Sequence, residues 1–355
     1  MTKKLLTVIG ARPQFIKAAC LSKALNEIGI TEVIVHSGQH YDDNMSHIFF
    51  DQLKIPKPSY FISNLGKTHG EMTGELLKRI EEVVLKEDPY AVLVYGDTNT
   101  TLAAALVTRK LNKKLIHVEA GLRNNDMSIP EEVNRVVTDR VSDLLFCPTD
   151  LAIQNLKEEG FEKLGIKMVR TGDIMADSIR LFKEYVSPEP IYKGKHIAAT
   201  IHRAANTTPE VLGEIVHAFN EIAKEIPIVF PIHPRTRNVL SQIKEKFSKD
   251  VILMEPVGYF DMINLLKNCS YVITDSGGLQ KESYIMGKKS LLLMDFTPWK
   301  ELVDNKFSQC TLSTYSEIMK NYTKMKELNP DFSIQLYGDG RSAYTMANEI
   351  KTFIS

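Results

Sequence analysis

Short apolar runs alternate with longer stretches of helical spacing along most of the chain. Residues 5–9, 32–36, 91–95, 115–118 and 144–147 are continuous enough to be strands buried on both faces. Between them, residues 15–27, 70–86 and 100–111 place apolar side chains at helical intervals. This alternation predicts an α/β fold with a parallel, doubly wound sheet. After Arg170-Thr171-Gly172 comes another helical stretch, then Ser187-Pro188-Glu189-Pro190, which has the composition of a loop. The rhythm then restarts, with strands expected at 196–200, 228–231, 251–254, 271–274 and 290–294, and helices at 209–225 and 239–247. Two Rossmann-like domains follow, residues 1–172 and 173–340, with a ligand cleft expected between them.

A length of 355 residues suits two cores better than one. Basic and acidic residues balance at 44 each, which argues against a nucleic-acid or membrane-surface role. Any anion must therefore be held by local placement of donors. The four cysteines lack the spacing of a zinc site and suit reduced thiols. The apolar run behind Lys3-Lys4 is too short for a signal peptide, and no segment approaches the about 20 apolar residues of a membrane span. A cytoplasmic protein is expected.

Ligands of doubly wound sheets collect at the carboxyl ends of strands, and the polar punctuation of this chain falls there. The most informative stretch is Thr274-Asp275-Ser276-Gly277-Gly278-Leu279-Gln280-Lys281-Glu282. A strand that ends in Ser-Gly-Gly and turns at once into a helix leaves N–H groups unpaired, with no Cβ to keep an anion away. The chemistry suggested is a nucleoside diphosphate, its pyrophosphate on the helix end and its ribose on Glu282. A plain strand-to-helix turn is the alternative. After the first strand, Arg12 precedes Pro13 at a helix start and suits a phosphate oxygen. Lys17 can reach back to the same anion or stand as a solvated helix lysine. Ser37-Gly38-Gln39-His40 follows the second strand.

Three carboxylates are expected to converge. Asp97 ends a strand, although it can also cap a helix. Glu119 directly follows the apolar strand 115–118, where an acid must be paired or used. Glu131 follows Pro130 at a helix start that favours acids anyway. Arg123 and Arg135 are nearby cations able to hold one carboxylate ionised. Carboxylates in unlike environments are what proton transfer on two faces of one carbon requires. In the second half, His202-Arg203 and His233 also stand at strand ends.

With these clusters assembled, the chain resembles the non-hydrolysing UDP-N-acetylglucosamine 2-epimerases. The motifs run in order: Gly10-Ala11-Arg12-Pro13, Gly38-Gln39-His40, Gly96-Asp97-Thr98, His117-Val118-Glu119-Ala120-Gly121-Leu122-Arg123, Pro130-Glu131-Glu132-Val133-Asn134-Arg135, Ile201-His202-Arg203, Pro231-Ile232-His233-Pro234 and the Ser276-Gly277-Gly278 turn. The resemblance implies a GT-B-like fold whose last helix, within 341–355, crosses back onto the first domain. It implies elimination of UDP to a 2-acetamidoglucal and re-addition with the C2 proton on the opposite face, without metal or redox cofactor. Asp97, Glu119, Glu131 and His202 are then the catalytic candidates. Arg12, Lys17, Gln39, His40, Arg123, Arg135, Arg203, His233, Ser276, Gly277, Gly278, Gln280 and Glu282 are candidates for holding the UDP-sugar, and a homodimer is expected.

The chain departs from the family pattern in three places. His-Arg-x-Glu-Asn becomes His202-Arg203-Ala204-Ala205-Asn206, which loses a carboxylate. Arg-Asp-x-Thr-Glu becomes Met294-Asp295-Phe296-Thr297-Pro298-Trp299, which loses an Arg and a Glu and gains a Phe. The stretch Gln39–Met45 also lacks one glutamine of members activated by a second substrate molecule, so weak or no activation is expected. UDP-N-acetylglucosamine is the leading substrate and a UDP-diacetamidoglucuronate its rival. A GT-B glycosyltransferase has no use for three convergent acids, and a decayed binding protein would not be expected to keep them together with His202.

Overall fold

The computed structural model describes residues 4–38, 56–62 and 68–355, with the side chain of Arg12 outside that set. The chain divides into two compact units, Met1–Leu181 with Leu336–Ser355, and Phe182–Gln335.

Unit 1 holds a seven-stranded sheet in the order β3-β2-β1-β4-β5-β6-β7. Its strands are β1 (Lys4–Ile9), β2 (Thr31–His36), β3 (Tyr60–Phe61), β4 (Ala91–Tyr95), β5 (Lys114–Val118), β6 (Leu144–Cys147) and β7 (Lys167–Arg170). Every pairing is parallel. The central strands are apolar throughout because helices cover both faces. On one face Leu6, Val8, Val92 and Val94 meet Leu76, Ile80 and Val84 of the His69–Glu87 helix. Thr68 starts that helix as a capping box with Glu71.

Unit 2 holds a six-stranded sheet in the order β10-β9-β8-β11-β12-β13. Its strands are β8 (Ile197–Thr200), β9 (Ile228–Pro231), β10 (Val251–Met254), β11 (Tyr271–Thr274), β12 (Lys289–Leu293) and β13 (Ser308–Thr311), again all parallel. Its core gathers Ile197, Ala199, Phe230, Ile273 and Leu291 with Ile215, Phe219 and Ile222 of the Pro209–Ala223 helix. The two Rossmann-like halves expected from the apolar rhythm are both present.

In each sheet the strand order reverses once, between β1 and β4 in unit 1 and between β8 and β11 in unit 2. At such a switch point the connections leave in opposite directions and open a crevice at the carboxyl ends. Gly10 and Gly96-Asp97 flank the first reversal, and His202 and Ser276 flank the second.

Residues 173–181, given to the second domain on composition, pack in unit 1. There the Ser178 hydroxyl donates to the Ile16 carbonyl (3.2 Å). The chain returns at Leu336, and the Asp173 N–H meets the Tyr337 carbonyl (2.9 Å). The final helix, Ser342–Ile354, then packs on the Arg12–Glu27 helix. Its first N–H groups, from Ser342 and Ala343, are taken by buried Asp177 (3.2 and 2.6 Å).

The helix expected at 239–247 is a correction. Helix Pro234–Leu240 begins earlier, because His233 caps it and Pro234 is preset for a first turn. Beyond it, Phe247 inserts between Phe219 and Phe230 as a core residue of a loop. Its apolarity reported packing, not helical period. Strand β3 escaped the sequence reading because it is only two residues long, and β7 and β13 because they are short and polar or charged at their ends.

Candidate active site

In unit 1, three neighbouring loops bring acids and cations together. Parallel pairing of β4 with β5 sets Tyr95 against Val118, so the residues that follow, Gly96-Asp97 and Glu119, leave side by side. A Cβ built on Gly96 would lie 3.4 Å from Glu119 Oε2. Glu119 has a φ of +72°, a left-handed backbone that costs a non-glycine residue about 1–2 kcal/mol. Strain of this kind at a strand end is a mark of function. The Lys17 ammonium pairs with the Glu119 carboxylate, and both are nearly buried. Lys17 therefore reaches an acid, where a phosphate was one expectation.

Asp97 is fixed from the Pro130–Val141 helix. Arg135 donates from one terminal nitrogen to Asp97 and from the other to Glu132. Burial pulls the guanidinium pKa down, but Asp97 and Glu132 outweigh it and raise the value, so the fork stays charged. Glu132 is buried and also accepts the N–H groups of Asn124 and Asn125 (2.9 Å each). The adjacent Glu131 points to solvent. One turn on, Asn134 donates to the Asp97 carbonyl (2.8 Å).

Beneath these groups runs a fully buried network. His117 places Nδ1 2.7 Å from Asp139 and Nε2 2.7 Å from the Gly96 carbonyl. Asp139 also accepts the Gly121 N–H (3.0 Å) and an Arg123 N–H (2.7 Å). Gly121 is irreplaceable here, with φ at +80° and no room for a Cβ, which would lie 2.4 Å from the Ala152 carbonyl. Arg123 spends its remaining donors on Glu159 and the Leu122 carbonyl. Its guanidinium serves the scaffold, although it was a substrate candidate.

In unit 2 the glycine turn opens helix Gly277–Ile285, with Ser276 as cap accepting the Leu279 N–H (3.3 Å). The first N–H groups of any helix lack intrahelical partners and carry the positive end of its dipole. The Arg203 guanidinium stands beside them, with Nη2 3.8 Å from a Cβ built on Gly277. Helix N–H groups and one guanidinium together make surroundings that suit an anion.

Asp275, just before the turn, is completely buried and accepts the N–H groups of His202 (3.1 and 3.0 Å) and Arg203 (2.9 Å). The His202 ring lies beside it, Nδ1 to Oδ1 3.1 Å, while staying half exposed. Burial alone would raise the Asp275 pKa, but the hydrogen bonds and charge of His202, Arg203 and Asn206 hold it below the usual range. The His233 ring centroid is 6.1 Å from that of His202, and burial together with His202 and Arg235 lowers the His233 pKa.

Gln280, a ligand candidate, is buried, accepting the Thr297 hydroxyl (2.6 Å). Glu282 is largely buried on the second turn of the same helix. Gln39 and His40 lie outside the described residues. Among the described residues, no group of three or more His, Cys, Asp or Glu is arranged to hold a metal ion, and no helix is long and apolar enough to cross a membrane.

Sequence reasoning gave no role to His117, Asn134, Asp139, Asn206 or Asp275. For His117 and Asp275 a signal existed, since each polar side chain stands within or directly after an apolar strand.

The sequence model described as UDP-N-acetylglucosamine 2-epimerase matches residues 23–351. A Pseudomonas aeruginosa UDP-2,3-diacetamido-2,3-dideoxy-D-glucuronate 2-epimerase is 53% identical, over 84% of this chain and 86% of that one. A Methanococcus maripaludis UDP-N-acetylglucosamine 2-epimerase homolog is 43% identical, over 98% and 99%. The crystal structure of the Methanocaldococcus jannaschii UDP-GlcNAc 2-epimerase with UDP-GlcNAc and UDP superposes with a TM-score of 0.86 at 37% identity, covering 98% of this chain and 99% of that one. Matched over nearly its whole length, this chain belongs to the UDP-N-acetylglucosamine 2-epimerase family.

Proposed function

We propose that the chain inverts C2 of a UDP-linked 2-acetamido sugar by eliminating UDP and adding it back. The observation that carries this reading is the pairing of Asp97 and Glu119 at adjacent strand ends, each with its own cation. The C2–H bond is not acidified by a carbonyl, so departure of UDP must drive its cleavage. The glycine turn with Arg203 stabilises the diphosphate as it leaves. Asp97, Glu119 and Glu131 are the groups that take the C2 proton and return one to the opposite face. Arg12, Ser276, Gly277 and Gly278 hold the phosphates and Glu282 the ribose.

For the sugar, the 53% identity to the diacetamidoglucuronate epimerase outweighs the leading expectation of UDP-N-acetylglucosamine. Ala205 supports the uronate, because a glutamate there would repel the carboxylate of the sugar. UDP-N-acetylglucosamine remains the second reading, favoured by the 43% relative. A cytoplasmic homodimer accompanies both readings.

The test is incubation of each UDP-sugar in deuterated water with proton NMR at C2. Exchange and inversion with the uronate alone supports the first substrate, and the same with UDP-N-acetylglucosamine alone supports the second. Free UDP with released sugar, or transfer of the sugar to an acceptor, would overturn the epimerase reading.

A further inference from the structure

We propose that Asp275 is a positioning residue that fixes the His202 imidazole with its proton on Nδ1, presenting Nε2 as the atom that trades a proton with the departing diphosphate. The second half of this statement rests on the epimerase reading above.

Asp275 holds His202 twice, through the main-chain N–H and through the ring at 3.1 Å. A residue tied at both places has little freedom to turn its ring. Asp275 is completely buried, and as a carboxylate it can only accept. An imidazole lone pair facing it would leave two acceptors opposed in a dry site, so Nδ1 must carry hydrogen. This choice of tautomer directs Nε2 away from the carboxylate, on the half-exposed side of the ring.

The carboxylate is itself held in place. Asn206 donates from its amide to Asp275 (3.1 Å) and to the Leu293 carbonyl (2.9 Å), and accepts the Ser313 hydroxyl (2.7 Å). Residues from the ends of β8, β11, β12 and β13 thus converge to orient one ring. The other ionisable groups around His202 are His233 and Arg235, whose guanidinium donates to the His202 carbonyl (3.1 Å), and Arg203 on the same turn. The His233 Nδ1 is occupied by the Arg235 N–H (3.1 Å), so His233 offers His202 no second carboxylate-like acceptor.

The proton balance closes over one cycle. The donating form is the imidazolium, with hydrogen on both nitrogens: as the C1–O bond breaks, its electron pair passes to the β-phosphate oxygen, which takes the Nε2 proton and leaves the neutral Nδ1–H form. When UDP adds back, that oxygen returns the proton to Nε2 as the C1–O bond forms. The Nδ1 proton stays on the imidazole throughout, facing Asp275.

Long-range proton–nitrogen NMR on protein labelled with ¹⁵N-histidine reads the tautomer without substrate, with the His202 signals identified by their loss in His202→Gln. Above the imidazole titration range, Nδ1 should appear protonated and Nε2 bare. A proton on Nε2, or an average of both forms, would overturn the proposal even if the enzyme epimerises normally. Conversely, an Nδ1–H form in a protein that turns over no UDP-sugar would sink the epimerase reading while leaving the role of Asp275 in place. Asp275→Asn should scramble the tautomer, shift the pH profile of kcat and lower kcat about 100-fold with UDP affinity kept. An unchanged pH profile in folded Asp275→Asn would refute the positioning role. Should that variant not fold, the wild-type spectrum decides alone.

Discussion

Lys17 and Glu119 form a nearly buried ion pair across 102 positions of sequence. A lysine that sequence alone could send to a phosphate is spent on keeping a strained carboxylate in place. Truncating it takes the cation from a poorly solvated carboxylate. Lys17→Met should therefore destabilise unit 1 by about 3 kcal/mol, read from urea unfolding. Adding Glu119→Gln should restore most of that loss.

Glu131 and Glu132 are neighbours in opposite settings, the first exposed and the second buried. Glu132→Gln weakens a buried charge-assisted cluster and should cost about 2 kcal/mol of stability. Glu131→Gln should leave the melting temperature unchanged while abolishing C2 exchange, as should Asp97→Asn with UDP affinity intact. Loss of UDP binding in both variants would make their roles structural.

Arg135 joins Asp97 to Glu132 through two nitrogens of one planar group. A lysine carries the charge but cannot satisfy both acids at once. Arg135→Lys should lower kcat for C2 exchange about 10-fold with UDP affinity retained, by single-turnover kinetics and calorimetry.

Gly278 offers a clean separation of fold from ligand. A Cβ there meets nothing closer than Ser276 Oγ at 4.0 Å, and its backbone is helical. Gly278→Ala should match or slightly exceed wild-type stability, since alanine favours the helix by up to about 1 kcal/mol. If the diphosphate rests on this turn, UDP affinity should fall about 10-fold, because the methyl occupies the path of approach.

Asp139 ties stability to acid pH. Burial would raise its pKa, yet His117 and Arg123 outweigh that and hold it low. Its contribution is complete above the ordinary aspartate value of about 4 and is lost as pH falls through the lower folded value. Glu32 and Asp177, raised by burial, run in the opposite sense, so the wild-type slope mixes both. Asp139→Asn should flatten the acid-side fall of the urea midpoint, and an unchanged slope would contradict this account.

Both sheets were legible because buried parallel strands write themselves as uninterrupted apolar runs. The placement of Asp97, Glu119, His202 and the glycine turn at strand ends was legible because each closely follows such a run. What escaped was pairing. Nothing local in the sequence says that Arg123 turns to Asp139 and Glu159, or that Lys17 meets Glu119. Those choices depend on which loops the strand order makes neighbours. Phe247 misled for a related reason, since a loop residue that fills a core carries the same apolar mark as a helical one.

Because Leu336–Ser355 completes unit 1, that body is built from two stretches of chain separated by unit 2. During synthesis the uninterrupted unit 2 can finish folding while the Arg12–Glu27 helix still lacks its partner. Unit 1 thus matures only after residues 342–354 leave the ribosome. Losing those thirteen residues would strand an otherwise finished sheet with a bare apolar flank and leave Asp177 without its two N–H donors.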